Sequence, residues 1–236
     1  MRNYIILNDN KSDPIEGLLI STLPPISKPR KRVEIEEIDG RNGDIITDLG
    51  YAAYDKTISI GLYGEYDVDD IIQYFDSEGT VTFSNEPDKY YYYKIIEQID
   101  FSKLIRYKTA DVVFHVQPFK YSTLDTKKTF QITNETSIQI RNNGNIYSKP
   151  VITIYGSGTI NLSLNNEQMF VIDLSNDNQI TLDIENMNAY NQETDVFKNR
   201  LVTGNYDNFK LNIGINTISW TGTVTKIEIE NYTRFI

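Results

Sequence analysis

Short runs in which apolar and polar residues alternate, each closed by a Gly, Asn or Asp turn, fill most of this chain. A period of two sends successive side chains to opposite faces of a strand, so such a run asks for one buried face and one wet face. TISIGLYG (57–64), TVTFS (80–84) and ADVVFHVQPF (110–119) have this form, and KYYYYKIIEQI (89–99) is rich in strand-favouring aromatics and isoleucines. Further on, KPVITIYGSGTINLSLNNEQMFVIDL (149–174) holds three such runs, split by Gly156-Ser157-Gly158 and Asn165-Asn166. QITLDIEN (179–186), NFKLNIGINTISW (208–220) and TVTKIEIENY (223–232) follow. The pattern predicts a mainly β chain whose second half is a β-sandwich.

One helix interrupts it, over about 68–78 in VDDIIQYFDSEG. Asp69 and Asp70 stand near its start, where the helix dipole favours negative charge. Ile71, Ile72, Tyr74 and Phe75 make an apolar stripe, and Gly79 is the expected stop. The composition then shifts. Residues 1–125 hold 12 of the 17 tyrosines and 5 asparagines, whereas residues 126–236 hold 5 tyrosines and 18 asparagines. The expected domains are therefore 1–125 and 126–236, divided at the polar stretch STLDTKK.

Several function classes fall away on composition. The absence of cysteine removes disulfides, thiol nucleophiles and zinc-thiolate sites, and the single histidine, His115, removes any site needing two. A formal charge of −10 opposes binding to nucleic acid or to an anionic membrane. No run of 18 apolar residues occurs, and MRNYIILNDNKSD turns polar too soon for a signal peptide, so no general secretion is expected. There is no G-x-S-x-G elbow, no phosphate-cradling glycine loop and no H-E-x-x-H, so neither catalysis nor a cofactor is expected.

The remaining candidates each have a plain structural reading. His115, inside VVFHVQ, reads as a packed strand histidine. The basic run KPRKR (28–32) reads as a solvated hairpin arm or a charge partner between subunits. The acids of EYDVDD (65–70) and DLSNDNQITLD (173–183) lack the Gly and bidentate Glu of an EF-hand loop, and read as a helix start and a polar loop. Tyr90, Tyr91, Tyr92 and Tyr93 should alternate between two faces of a strand; we read them as a subunit contact in preference to a sugar platform. EEIDGRNGDI (36–45) places Asp39-Gly40 and Asn42-Gly43 almost back to back, which suits a ligand loop, a Ca²⁺ loop or a hairpin corner.

The order of these segments resembles the distal tail protein (Dit) family of long-tailed phages that infect Gram-positive bacteria. The resemblance runs through EEIDGRNGDI, YDKTISIGLYG, VDDIIQYFDSEGTVTFSNEPDKYYYYK and ADVVFHVQPFKYS in the first half. In the second half it continues through NNGNIYSKPVITIYGSGTINLSLNN, VIDL, QITLDIEN and NFKLNIGINTISWTGTVTKIEIENYTRFI. It covers most of the chain, and no single piece carries it.

What the resemblance implies is a structural virion protein at the tail tip of a phage or a related prophage particle, made in the host cytoplasm, and no enzyme. It implies a β-barrel-like N-terminal domain that forms a homohexameric ring, and a galectin-like or carbohydrate-module-like sandwich at its periphery. The implied partners are the tail tube protein, the tail-associated lysin or fibre, and receptor-binding or baseplate proteins. DNA would pass through the ring without binding; six copies sum to about −60, and Glu65, Asp67, Asp69 and Asp70 are expected to face the channel or the tube. Within this frame IDGRNGDI becomes a hairpin corner and Arg41 a contact to the next subunit. The alternative is a module that binds cell-wall sugar, whose aromatic row would have to come from Trp220, Tyr206 and Phe209.

Overall fold

The computed structural model describes residues 2–236, and the alternating runs are strands in it. Up to Thr123 these are β1 (Ile5–Leu7), β2 (Asn10–Lys11), β3 (Leu18–Thr22), β4 (Lys31–Glu37), β5 (Asp44–Tyr51), β6 (Tyr54–Leu62), β7 (Glu78–Phe83), β8 (Lys89–Lys94) and β9 (Thr109–Ser122), with helices α1 (Val68–Phe75) and α2 (Phe101–Tyr107). Seven of the strands form one antiparallel sheet in the order β2-β1-β7-β8-β9-β6-β3. The sheet curls until its ends meet: Arg2, just before β1, donates to the Leu18 carbonyl of β3 at 2.7 Å, and Asn3 donates to Ser21 at 3.1 Å. Side chains close this split barrel where a strand ladder does not.

The period-two faces account for the core. Ile58 and Ile60 of β6 and Val112, Phe114 and Val116 of β9 are fully buried. Ile5, Val81 and Tyr91 join them from β1, β7 and β8. At roughly 1.5–3 kcal/mol for each fully buried aliphatic or aromatic side chain, this inner face is the main source of stability.

Two helical details differ from the sequence reading. Helix α1 starts where expected, with Asp67 as N-cap accepting from the Asp69 N–H at 2.8 Å, but ends at Phe75. Ile71 and Phe75, one turn apart, are buried, whereas Ile72 is exposed. Gly79 does not stop the helix; it lies inside β7 at φ 138°. A Cβ there would sit 2.1 Å from the Asn8 carboxamide oxygen, whose side chain bonds Glu78 and Thr80. The glycine serves that close approach. The expected strand 89–99 stops at Lys94, and α2 follows, capped by Asp100 through the Lys103 N–H at 2.8 Å.

From Leu124 to Phe235 the second unit is wholly β apart from one short turn of helix. Its strands are β10 (Lys128–Gln131), β11 (Ser137–Asn142), β12 (Val151–Leu164), β13 (Glu167–Leu174), β14 (Gln179–Asp183), β15 (Asn188–Asn191), β16 (Val196–Phe197), β17 (Val202–Gly204), β18 (Gly214–Glu230) and the two-residue β19 (Arg234–Phe235). The long β12 and β18 run through both layers. Their Val151–Tyr155 and Lys226–Glu230 halves pair with β14 and β10, and their Asn161–Leu164 and Ser219–Trp220 portions lie beside β13 and β11. Bulges after Tyr155 and Ser157 turn the corner. A Cβ on Gly156 would lie 2.2 Å from the Thr223 carbonyl, so only glycine lets the strands cross there. Ile152, Ile154, Ile180 and Leu182 of one layer face Leu162, Phe170, Ile172 and Ile218 of the other. This is a β-sandwich.

Candidate assembly interface

The hairpin β4–β5 belongs to neither sheet. Its register pairs Glu37 with Asp44, Ile35 with Ile46 and Val33 with Asp48, so Val33, Ile35 and Ile46 share one face. That face stays open: the three are 41%, 57% and 63% exposed. A lone two-stranded ribbon is marginal in water and gains stability when a third element covers its apolar face. The arm therefore carries unburied apolar side chains on both strands, two of them, Val33 and Ile35, inside a strongly charged sequence, KRVEIEE.

Its root is well fixed. Lys31 pairs with Asp48, and Asp48 also accepts from the Gly50 N–H at 2.9 Å. The Lys31 hydrogen bond holds the Asp48 carboxyl below its ordinary range, and Asp48 in turn raises the Lys31 ammonium. Tyr51 packs edge-on against Phe119 at 5.4 Å, and the Ala52 N–H donates to Arg30 at 2.9 Å. The basic run 28–32 thus lies at the base of the arm. At the tip, Gly40 and Gly43 take φ of 81° and 80°, with Asp39, Arg41 and Asn42 exposed between the strands. The Arg41 N–H bonds the Ile38 carbonyl at 3.1 Å, and its side chain stands at the outer end of the hairpin.

The four tyrosines split as the strand period requires. Tyr91 and Tyr93 are buried in the first unit's own core, which removes them as subunit contacts. Tyr90 and Tyr92 point outward and pack with Tyr121, at 5.6 and 5.4 Å between ring centroids. Glu65, Asp67, Asp69 and Asp70 gather at the exposed start of α1, where Asp67 is spent on capping. Among the described residues no group of His, Asp and Glu could hold a metal ion.

His115 bonds Asp55 at 2.8 Å on the exposed face of β9 and β6. Two open grooves flank α1, of about 780 Å³ beside Asn8–Lys11 and about 730 Å³ beside Ile95–Ile99, and both are lined by polar as well as apolar side chains. Trp220 and Phe209 are core residues, and Tyr206 packs on Phe170 at 4.8 Å, so the aromatic row that the alternative sugar-binding reading needs is not exposed. No helix among the described residues is long and apolar enough to cross a membrane. The apolar stripe of the arm escaped the sequence reading, although the alternation in VEIEEI carried it.

A scan against protein-family models finds no match, and no curated protein matches in sequence. Solved structures do match. SPP1 Dit (gp 19.1), described as a paradigm of the hub adsorption apparatus in Gram-positive infecting phages, superposes with a TM-score of 0.65 at 15% identity over 100% of both chains. A chain of the phage P2 baseplate, in its activated conformation with Ca, superposes with a TM-score of 0.50 at 10% identity over 98% of each. From end to end, this chain has the Dit fold.

Proposed function

We propose that this protein is the hub of a phage tail tip, a structural component and no enzyme. The observation that carries the reading is the full-length match to SPP1 Dit, because it spans both units in one order. In this reading the first unit closes a homohexameric ring and the second stands at its periphery. The ring joins the tail tube to the lysin or fibre and to the receptor-binding or baseplate proteins, in the virion.

The arm supports the ring reading. An apolar ribbon face left open on one copy gains its cover from the next, and a heterologous contact repeated six times closes. Val33, Ile35 and Ile46 are the buried centre of that contact, Arg41 reaches past it, and Tyr90 and Tyr92 add aromatic area. The charge of −10 per copy suits a channel that DNA must traverse without sticking, with Glu65, Asp67, Asp69 and Asp70 on the channel or tube-facing side. A sugar-binding module is the weaker reading, since Trp220 and Phe209 lie in the core and Tyr206 packs against it.

Native mass spectrometry across a concentration series tests this. Six copies of a 27.3 kDa chain give a species near 164 kDa. A monomer at every concentration, alone and with the tail tube protein added, would overturn the proposal.

A further inference from the structure

Beneath the segment that leads into the arm lies a buried ammonium without a counter-ion. Lys56, on β6, is 3% exposed, and its Nζ sits over the rings of Tyr91, Tyr54 and Phe83 at 5.0, 5.6 and 5.9 Å. Among the described residues no carboxylate lies within ion-pair distance of it. The nearest buried acid, Glu86, is already engaged: one oxygen accepts from Lys120 at 2.9 Å and the other from the Tyr91 hydroxyl at 3.2 Å. Lys89 stands 4.0 Å from Glu86 and pairs with Asp88, and Lys28 of the segment itself is exposed. Of the two buried lysines, Lys120 thus pairs with Glu86, and Lys56 feels that carboxylate only at longer range.

The segment above, residues 23–29 (LPPISKP), has no backbone ladder among the described residues. Three side chains hold it through its carbonyls: Asn85 to Pro24 at 2.9 Å, Lys56 to Pro25 at 3.0 Å and the Tyr54 hydroxyl to Ser27 at 3.4 Å. Pro24 and Pro29 are buried and Leu23 packs on the core, whereas the middle of the segment, Pro25, Ile26, Ser27 and Lys28, is exposed and gains little apolar burial. Closing it shuts Lys56 away from water, and opening it returns the ammonium to water.

We propose that residues 23–29 are a strap closed over the uncompensated Lys56 cation, a spring-loaded hinge that lets the arm be re-aimed when copies meet. The strap's opening is a property of the first unit; its use in assembly rests on the ring reading above. Burial already pushes the Lys56 ammonium down to about 8, opposed in part by Glu86 and aided by Lys120. The sign follows from linkage. The closed state has the lower Lys56 pKa, so closure is disfavoured while Lys56 is charged in both states and strengthens as pH rises from about 8 towards the exposed value.

The chain has no cysteine, so Pro24→Cys places a single thiol in the buried part of the strap. Its rate of maleimide labelling, divided by that of a free thiol at the same pH, reads strap opening. That ratio is expected to fall about fourfold from pH 7 to 8.5. Adding Lys56→Met should slow labelling at pH 7 by about tenfold or more and flatten the profile. A flat profile with Lys56 present overturns the proposal, even if the methionine variant does not fold; so does equal labelling of the two variants. Labelling is read on the protein in whatever oligomeric state it adopts. A flat profile therefore leaves the ring reading standing, and an absence of rings leaves the strap result standing.

Discussion

Replacing Glu86 by Gln tests the charge arrangement inside the first unit. Glu86 is the only buried carboxylate among the described residues, and it faces Lys120 at 2.9 Å and, through the field, Lys56. Glutamine keeps the shape and an acceptor for Tyr91 but leaves two buried ammoniums with no negative charge between them. Removing one member of a buried pair costs about 3–5 kcal/mol; with the acceptor retained we take about 3. At about 4 °C per kcal/mol for a unit of this size, the melting temperature should drop by about 12 °C. Urea titration followed by near-ultraviolet circular dichroism of the tyrosines reads the first unit, while Trp220, the sole tryptophan, reports the second. Adding Lys120→Met should restore at least half of the loss, because it removes the cation left unpaired. A loss below about 1 kcal/mol, or no recovery in the double variant, would refute the reasoning.

Three further outcomes are expected. Ile35→Asp with Ile46→Asp changes only exposed positions of the arm, which belongs to neither sheet, so unfolding of the first unit's barrel should shift by less than about 0.5 kcal/mol while any large species seen by light scattering disappears. Gly144→Ala should cost about 3 kcal/mol or more by urea titration, because the new Cβ falls 1.8 Å from the Arg234 carbonyl; Gly40→Ala, with nothing within 4 Å, should cost only about 1 kcal/mol for its positive φ. Burial raises the Tyr54, Tyr74, Tyr91 and Tyr93 hydroxyls above their ordinary value, so the folded state keeps protons that the unfolded chain loses. Stability of the first unit should then fall as pH rises above about 10, with tyrosinate absorbance appearing together with unfolding.

The strands were legible because one buried face writes itself as a period of two. TISIGLYG and ADVVFHVQPF gave Tyr54–Leu62 and Thr109–Ser122, and in β8 the same period sent Tyr91 and Tyr93 inward and Tyr90 and Tyr92 outward. Misreadings cluster where a residue has two uses. Gly79 reads as a helix stop in sequence, yet it serves the approach of Asn8, a partner 71 positions away that no local window contains. Helix α2 has seven residues and one buried side chain, Leu104, too short a stretch for periodicity to show; its only strong local sign was the Asp100 cap. The buried meeting of Lys56, Glu86 and Lys120 joins three separate parts of the chain, and each reads as an ordinary exposed charge until the sheet brings them together.

Class averages of the purified protein in negative-stain electron microscopy, at high concentration and again with the tail tube protein, test the central claim most directly. The account predicts six-fold rings with a central hole wider than a DNA duplex, and their loss in the Ile35→Asp, Ile46→Asp variant. Single two-lobed particles under both conditions, or rings that persist unchanged without the arm's apolar face, would contradict it.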